Sequence, residues 1–342
     1  MKDFFKGIQA VLQNGGRGLV LSSLDEERGD KVILSGKEIV WRNEDCRLKK
    51  EDLENPEIRN WMRCEQSRVV DLAGMRWLAE VLKPESRLII CGAGHVALAC
   101  LQMAKLLGMD VTVLEDREEY AKQAEEAGAD RVVCKPFREA IRELENTDNC
   151  KYLVMTRAHK MDQDCLEEIF RKPYSYVGML GSPKKIVALR SNLVQAGIEE
   201  VHFEKLHSPV GLDIGAKTPA EIGVSVMAEL IQLQNSGAEE VCSYSREMLG
   251  RQALHPAAGI LCTLVDNGGG SPRNPGTKML VYSSDDRIGT IGGGVLEGTA
   301  IREAVQMMEK GEKRKIIHSG VDGNDSGMAC CRNAEVLLER VE

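Results

Sequence analysis

The chain has 342 residues, 43% of them hydrophobic, which is enough for two or three domains with ordinary cores. Its formal net charge of −8 argues against nucleic acid or an anionic membrane as the main partner. No apolar run approaches the roughly 18 residues of a membrane-spanning helix, and the first residues lack a signal-peptide core. The eleven scattered cysteines contain no CxxC pair, which favours reduced thiols and a cytoplasmic protein.

The first 84 residues contain short apolar segments of strand length at 19–23, 31–35 and 79–82. Apolar runs of this length predict β-strands. We therefore expect residues 1–84 to form one small module, separate from the part of the chain that follows.

Residues 85–234 alternate strand and helix patterns. The predicted strands are residues 88–91, 111–114, 131–133, 152–155 and 176–180. The predicted helices between and after them are residues 96–107, 118–127, 137–144, 163–170 and 184–196. This succession predicts an α/β domain with a Rossmann-like, doubly wound parallel sheet. A last helix is predicted from Thr218, where Glu221 completes a capping box, and Val224, Met227, Leu230 and Ile231 follow at helical spacing.

Residues 235–250 predict a linker, and residues 251–342 predict a smaller α+β module. Its strands are expected at residues 259–265, 278–282, 287–291 and 334–341, with a helix from about 296 to 308. Residues 1–84 resemble a faint copy of this module, because residues 19–23 resemble 262–266, residues 31–35 resemble 278–282, and Ala79-Glu-Val-Leu82 repeats as Ala334-Glu-Val-Leu337. The first copy lacks the glycine-rich loops of the second. We therefore expect a degenerate half-module that packs against residues 251–342.

The most informative motif is Gly92-Ala-Gly94-His95-Val-Ala97, placed between a predicted strand and a predicted helix. Small residues there let backbone N–H groups at the helix start face a pyrophosphate. Glu115, with Asp116 as the second choice, stands about 20 residues later, where a ribose contact is expected. The alternative is a Rossmann-like domain that binds no nucleotide. His95 either contacts a ligand phosphate or caps the turn.

Polar residues follow several predicted strands of the same domain. Ligands of doubly wound sheets bind outside the carboxyl ends of the strands, so we expect these residues to converge near the Gly92 turn. They are Thr156-Arg-Ala-His159 after the fourth strand, Gly181 and Ser182 after the fifth, and His207 and Asp213 after the last extended stretch. His159 and His207 are candidates for acid–base chemistry, although a single histidine after a strand is more often a structural hydrogen bonder.

Two glycine-rich loops near the C-terminus are candidate anion sites. One carries Ser271 and Arg273, and the other is Gly292-Gly293-Gly294 at the start of a helix. Consecutive glycines let backbone N–H groups converge on an anion, and Arg273 and Lys278 add positive charge. The alternative is two tight turns that pack against each other. Cys330, beside Cys331, either supplies a soft thiolate for molybdenum or sulfur chemistry or is a buried, inert thiol.

Together these motifs resemble the xanthine dehydrogenase accessory factor family, XdhC/CoxI. The resemblance covers most of residues 80–342 and is carried by residues 92–97, 176–182, 206–221, 270–276 and 289–294, with Glu297. It implies a Rossmann-type and a CoxI-type module in a protein that binds molybdenum cofactor, protects it during sulfuration and delivers it to a molybdenum hydroxylase. The chain departs from the family in module order, in Cys330-Cys-Arg332 where Cys-Gly-Gly is common, and in Val295 where some relatives have cysteine.

The resemblance predicts a cofactor-binding chaperone more than a catalyst. We expect molybdopterin, in its molybdenum cofactor form, where the Ser271–Arg273 loop, the Gly292–Gly294 turn and the Cys330 thiolate approach the Rossmann crevice. Glu297 would bond the pterin edge or support the loop. The expected partners are a client hydroxylase and a sulfurtransferase, and two related half-modules suit a homodimer. The alternatives are an NAD(P)-dependent oxidoreductase of unknown substrate and an interaction scaffold.

Overall fold

The computed structural model describes residues 2–13, 16–63, 66–84, 86–145, 149–181, 183–236, 244–254, 258–268, 273–318 and 334–341. The chain divides into two compact units. The first unit is formed by Met1–Pro84 together with Ala238–Glu342, and the second unit is Glu85–Gly237. Within the described ranges, every helix is too short or too polar to cross a bilayer.

The N-terminal half of the first unit, residues 2–84, is a five-stranded antiparallel sheet with three helices. The elements are α1 (Lys2–Gln13), β1 (Gly18–Ser23), β2 (Lys31–Ser35), β3 (Glu38–Arg42), α2 (Lys50–Leu53), α3 (Pro56–Arg63), β4 (Arg68–Leu72) and β5 (Met75–Leu82). The strand order is β3-β2-β1-β5-β4. Helix α1 buries Phe4, Ile8 and Val11 against one face, because residues three and four apart share one side of a helix.

The second unit is the doubly wound parallel sheet predicted from the sequence, with strand order β11-β10-β9-β6-β7-β8. Its strands are β6 (Arg87–Cys91), β7 (Asp110–Glu115), β8 (Arg131–Cys134), β9 (Cys150–Val154), β10 (Tyr176–Met179) and β11 (Leu206–His207). Its helices are α4 (His95–Leu106), α5 (Glu118–Glu126), α6 (Phe137–Glu143), α7 (His159–Ile169), α8 (Pro183–Gln195), α9 (Val201–Glu204) and α10 (Pro219–Ser236).

Side chains of alternate strand residues fill two separate cores, one on each face of this sheet. Ile89 and Tyr152 pack towards α6 and α7, whereas Leu88 and Ile90 pack towards α4 and α10. Helix α10 begins at the predicted capping box, because Glu221 N–H donates to Thr218 Oγ1 at 3.3 Å and Glu221 Oε2 accepts the Thr218 N–H at 2.9 Å.

The buried face of α10 differs from the predicted one. Val226, Met227 and Leu230 are buried, whereas Val224 and Ile231 are exposed. The difference follows from the glycine at position 223, whose ideal Cβ would lie 3.0 Å from Ala99 Cβ of α4. This close approach of the two helices fixes which side of α10 faces the core.

The C-terminal half of the first unit, residues 244–341, repeats the topology of the N-terminal half. Its elements are α11 (Arg246–Leu254), β12 (Gly259–Asp266), β13 (Lys278–Val281), β14 (Arg287–Gly289), α12 (Gly294–Lys310), β15 (Arg314–His318) and β16 (Glu335–Val341). The strand order β14-β13-β12-β16-β15 matches β3-β2-β1-β5-β4 strand for strand. Tyr244 and Met248 are buried, so the part of the predicted 235–250 linker that is described after residue 243 belongs to the core instead.

The register of the repeat differs from the one suggested by matching letters. Gly18 pairs with Leu82 and Gly259 pairs with Val341, which makes Glu80 the counterpart of Glu339. Matching the two Ala-Glu-Val-Leu strings is therefore wrong by four residues. Lys31 and Lys278, by contrast, hold equivalent positions opposite Ser22 and Thr263, as predicted.

The two halves pack into one core, as expected from their incomplete individual cores. Phe4 and Val20 of the N-terminal half share a cluster with Leu261, Leu280 and Val341 of the C-terminal half. Two buried ion pairs cross between the halves, Lys31 Nζ with Glu339 at 2.5 Å and Lys278 Nζ with Glu80 at 2.6 Å. Each equivalent lysine thus finds the equivalent glutamate of the other half.

Candidate functional site

The glycine turn between β6 and α4 is shaped by two glycines with different tasks. Gly92 has a φ of +109°, and its ideal Cβ would lie 2.5 Å from the Met155 carbonyl oxygen, so a side chain has no room. Gly94 has a φ of −73° and caps α4 without a side-chain hydrogen bond. A Cβ on Gly94 would meet no described atom within 4 Å. The first N–H groups of α4 therefore begin beside open space, where an anion is favoured.

A crevice of about 280 Å³ lies at this turn. It is bounded by the carboxyl ends of β6, β7, β9 and β10 and by the starts of α4, α6 and α10. The lining residues are Gly92–Ala97, Glu115, Arg117, Phe137, Met155, Thr156, Arg157, Leu180 and Pro219. The sequence-predicted Gly92, Gly94, His95, Ala97 and Glu115 are brought together here.

The carboxylate of Glu115 supports the turn. Glu115 is 1% exposed and accepts the Ala93 N–H at 2.9 Å and the Arg117 Nε–H at 2.9 Å. It also accepts the Asp116 N–H at 3.2 Å. Both carboxylate oxygens therefore already have protein donors, which limits the ribose contact predicted for this residue.

Asp116 and Arg157 form a bidentate ion pair at the carboxyl ends of the strands, beside the crevice. The Arg157 nitrogens lie 2.5 and 2.9 Å from the two Asp116 oxygens. The hydrogen bonds from Arg157 hold the pKa of Asp116 below its usual value. Arg157 belongs to the polar segment after β9 that the sequence predicted to lie near the glycine turn, and it lines the crevice there.

The two candidate acid–base histidines have different surroundings. His159 is the exposed first residue of α7. His207 Nδ1 lies 2.9 Å from Glu229 Oε1, and its ring lies 4.7 Å from the Tyr176 ring. In the described part of the chain, neither histidine lines the crevice.

Glu229 organises the loop that follows His207. It accepts the Tyr176 hydroxyl at 2.6 Å and the Gly211 N–H at 2.8 Å. Burial acts to raise the pKa of Glu229, but the hydrogen bonds from His207, Tyr176 and Gly211 hold it below its usual value. A lone carboxylate inside the apolar α10 pattern is the signal that could have identified it. Asp213, in the same loop, is exposed, Gly181 follows β10 and is half-buried, and Ser182 lies outside the described residues.

The Gly292–Gly294 turn is stabilised by an internal carboxylate. All three glycines have positive φ, at +126°, +75° and +68°. Glu297 Oε2 accepts the Ile291 N–H at 3.1 Å and the Gly293 N–H at 3.0 Å, and it also accepts the Thr290 hydroxyl. The Gly293 N–H, which we expected to face a ligand, thus binds Glu297. Of the two roles predicted for Glu297, these contacts match support of the loop.

Of the remaining predicted residues of the C-terminal half, the structure describes Arg273 and Lys278. Arg273 is exposed, while Ser271, Cys330 and Cys331 lie outside the described residues. The expectation for Lys278 is wrong, because its ammonium group is buried between Glu80 and Thr263 Oγ1, the latter at 2.9 Å. Burial lowers the pKa of Lys278. Over the described ranges, no group of three or more metal-ligating side chains occurs, so the molybdenum contact of Cys330 stays a prediction.

Comparisons with known proteins match both units. The family model of the XdhC Rossmann domain matches residues 88–230, and that of the XdhC and CoxI family matches residues 255–320. The uncharacterized protein YqeB of Escherichia coli K12 is 34% identical over 152 residues, which are 44% of this chain and 28% of YqeB. A probable xanthine dehydrogenase subunit of Bacillus subtilis 168 is 32% identical over 151 residues, 44% of each chain.

A solved structure shares the fold. The crystal structure of a protein named xanthine dehydrogenase from Bacillus halodurans aligns with a TM-score of 0.53 at 22% identity, over 72% of this chain and 67% of that one. The alignment shows a common architecture. The two curated relatives are matched over less than half of their own lengths, 28% and 44%.

Proposed function

This chain belongs to the XdhC and CoxI family, and from that premise we propose that it is an accessory protein of a xanthine dehydrogenase-type molybdenum hydroxylase. It binds molybdenum cofactor and assists the sulfuration and insertion of that cofactor into the client enzyme. The similarity to a protein named as part of a probable xanthine dehydrogenase supports this link. A sulfurtransferase partner and a homodimer belong to the same proposal.

The observation that carries the proposal is the crevice at the Gly92 turn. Molybdopterin carries a phosphate, and the uncapped start of α4 offers backbone N–H groups and a positive helix end to such a group. The open space beside Gly94 leaves room for it, and the Arg157 guanidinium lines the same crevice. These residues fit a phosphate-bearing cofactor. When bound, the cofactor supplies the molybdenum centre that the client needs, and this chain holds and shields it.

The C-terminal half supplies a second, weaker argument. Glu297 stabilises the glycine turn of this half. Its Oε2 accepts every hydrogen bond that the described residues donate to the Glu297 carboxylate. The second carboxylate oxygen suits the N–H edge of a pterin. Contacts of Ser271, Arg273 and Gly292–Gly294 with the cofactor are part of the proposal. So is a contact of Cys330 with molybdenum, which depends on the affinity of thiolates for soft metals.

Gly94→Val tests the crevice, because the added side chain projects into open space without backbone strain. Gly250→Val in α11 is the matched control, since its Cβ also meets no described atom within 4 Å. We expect Gly94→Val to lower cofactor loading of an apo-hydroxylase about tenfold, the effect of losing ~1.4 kcal/mol of binding free energy. The measurements are the mass of ligands released from anaerobically purified protein and the activity of the client after transfer.

Equal loading by Gly94→Val, Gly250→Val and the parent protein would contradict a cofactor site in the crevice. The alternative of an NAD(P)-dependent oxidoreductase draws on the same strand–turn–helix unit, but Glu115 already has three protein donors. Steady hydride transfer from NADPH or NADH by the purified protein, without bound pterin, would favour that alternative.

A further inference from the structure

The Asp116–Arg157 ion pair spans the strand that carries the glycine turn. In the sheet, β6 lies between β9 and β7. Arg157 follows β9 and Asp116 follows β7, and their side chains meet through two hydrogen bonds of 2.5 and 2.9 Å. The pair therefore crosses the carboxyl end of β6, where the turn at Gly92 begins.

This ion pair is joined to the turn itself. Arg157 also lies 3.7 Å from Glu115, whose other carboxylate oxygen accepts the Ala93 N–H of the turn. Arg117 binds the same Glu115 and lies 3.6 Å over the Tyr120 ring. Two strand ends and the turn are thus connected by one network of charged hydrogen bonds. Bidentate arginine–carboxylate pairs of this kind fix the relative orientation of the two side chains as well as attracting them.

The crevice at the turn is small. Its volume of about 280 Å³ lies below the ~300–1,000 Å³ typical of pockets that enclose drug-sized ligands. An extended dinucleotide runs along the carboxyl ends of the strands, from one side of the glycine turn to the other. On that path it meets the Asp116–Arg157 pair. A phosphate monoester that ends at the turn meets Arg157 from inside the crevice and does not require the pair to open.

We propose that the Asp116–Arg157 pair is a specificity determinant of this crevice. It admits a phosphate monoester of mononucleotide or pterin phosphate size, and it opposes an extended dinucleotide, which binds only after the pair opens. The inference rests on the proposed function, because a phosphate at the Gly92 turn is its premise. It adds the class of ligand and the residues that select it.

The test compares AMP with NAD⁺, because AMP is the phosphate monoester half of the dinucleotide. Asp116→Asn and Arg157→Gln each remove one charge while keeping a similar size. A partly exposed ion pair is worth only about 1 kcal/mol, so opening it costs the dinucleotide about that much binding free energy. Removing the pair should therefore lower the ratio of the NAD⁺ Kd to the AMP Kd about fivefold in both variants. The AMP Kd of Asp116→Asn should stay within about twofold of the parent value. The AMP Kd of Arg157→Gln should rise, because Arg157 also lines the crevice, but its NAD⁺ Kd should rise less. Titration calorimetry on the full chain measures both constants.

Asp130→Asn is the matched control. It removes an ion pair between Asp130 and Lys105, whose side chains are 37% and 31% exposed. Asp130 precedes β8 and therefore lies at the amino ends of the strands, away from the crevice. The ratio should not change in this variant. An unchanged ratio in Asp116→Asn and Arg157→Gln, with AMP still bound, would overturn the selection role and leave the proposed function intact. Failure of AMP and NAD⁺ to bind any variant at millimolar concentration would overturn both, whereas normal AMP binding without cofactor transfer would count against the proposed function alone.

Discussion

The two halves of the first unit have the same strand order but very different connections. Both have a lysine at the start of their second strand and a glutamate in their last strand, and these four side chains form the crossed ion pairs. In the N-terminal half, the connection from β1 to β2 is held by Arg47, which binds Asp25 at 2.8 Å and Asp30 at 2.5 Å. In the C-terminal half, the equivalent connection is the glycine-rich segment 267–277.

This comparison separates what maintains the fold from what prepares a ligand site. The buried charges and the shared apolar core are common to both halves. The glycine turns with positive φ at 292–294 have no equivalent in the described N-terminal half, where charged loops occupy the corresponding edge. The N-terminal half therefore contributes packing, and the C-terminal half carries the candidate ligand loop. Variants of paired positions can test this division.

The largest expected effect concerns the crossed ion pairs. Among the described residues, Lys278 is the one cation paired with Glu80, so Lys278→Ala leaves a buried carboxylate without its partner. Removing one partner of a buried pair typically costs about 3–5 kcal/mol. Lys31→Ala should cost roughly half as much, because Glu339 keeps its contact with Arg314. Urea denaturation gives the free energy of unfolding of each variant.

The double variant Lys278→Met with Glu80→Leu is the control for burial. Replacing both charges by apolar groups is often neutral, so most of the lost stability should return. Equal costs for Lys278→Ala and Lys31→Ala would show that Arg314 does not compensate. That result would make the two halves energetically equivalent.

A smaller effect is expected from glycines at connections. Gly289→Ala places a Cβ 2.5 Å from the Lys278 carbonyl oxygen at a φ of +82°, so strain and a steric clash add to about 2–3 kcal/mol. Gly36→Ala, in the N-terminal half, has a φ of +59° but meets no described atom, so only ~1 kcal/mol is expected. Thermal denaturation of both variants measures the difference. Similar melting temperatures would mean that the pairing of β13 with β14 relaxes around the new side chain.

The smallest effect concerns the pH dependence of the Gly292–Gly294 turn in the C-terminal half. Burial acts to raise the pKa of Glu297, but hydrogen bonds from Thr290, Gly293 and Ile291 hold it below its usual value. A lowered carboxylate pKa adds stability above the unfolded value, near 4.3, that is lost as the pH falls through the folded pKa. Glu297→Gln should therefore cost roughly 1 kcal/mol at pH 7 and nothing below the folded pKa. Denaturation midpoints between pH 3 and pH 7 test this, and a cost that persists in acid would contradict it.

Several features could be predicted because they depend on neighbouring residues in the chain. The alternation of apolar runs predicted the parallel sheet, and the glycine spacing around residue 92 predicted the strand–turn–helix unit. The Thr218–Glu221 capping box was also visible, since its partners are three residues apart. Local propensity and short-range hydrogen bonds are enough to specify such elements.

Other features depended on which strands become neighbours. Arg157 meets Asp116 because their strands, β9 and β7, flank β6 in the sheet, although the two residues are 41 positions apart in the chain. The sequence predicted that the segment with Arg157 lies near the glycine turn, but it did not predict this ion pair. Lys278 was expected to add positive charge to a candidate anion site, yet its position in β13 places it against Glu80 of the other half. The register of the repeat was set in the same way. The backbone pairing of Gly259 with Val341 defines it, and the identical Ala-Glu-Val-Leu strings at 79–82 and 334–337 do not.

The sequence alone therefore specified the family, the doubly wound sheet and the position of the glycine turn. The strand and helix patterns and the glycine turn depend on residues that are close together in the chain, where apolar periodicity and glycine conformation act directly. Only the tertiary structure decided how the carboxylates are used. Glu115 and Glu229 each bind backbone N–H groups from distant parts of the chain, Ala93 in the glycine turn and Gly211 in the loop after β11. The physical reason is that a buried carboxylate must find its donors in space, and the order of the strands determines which donors come within reach.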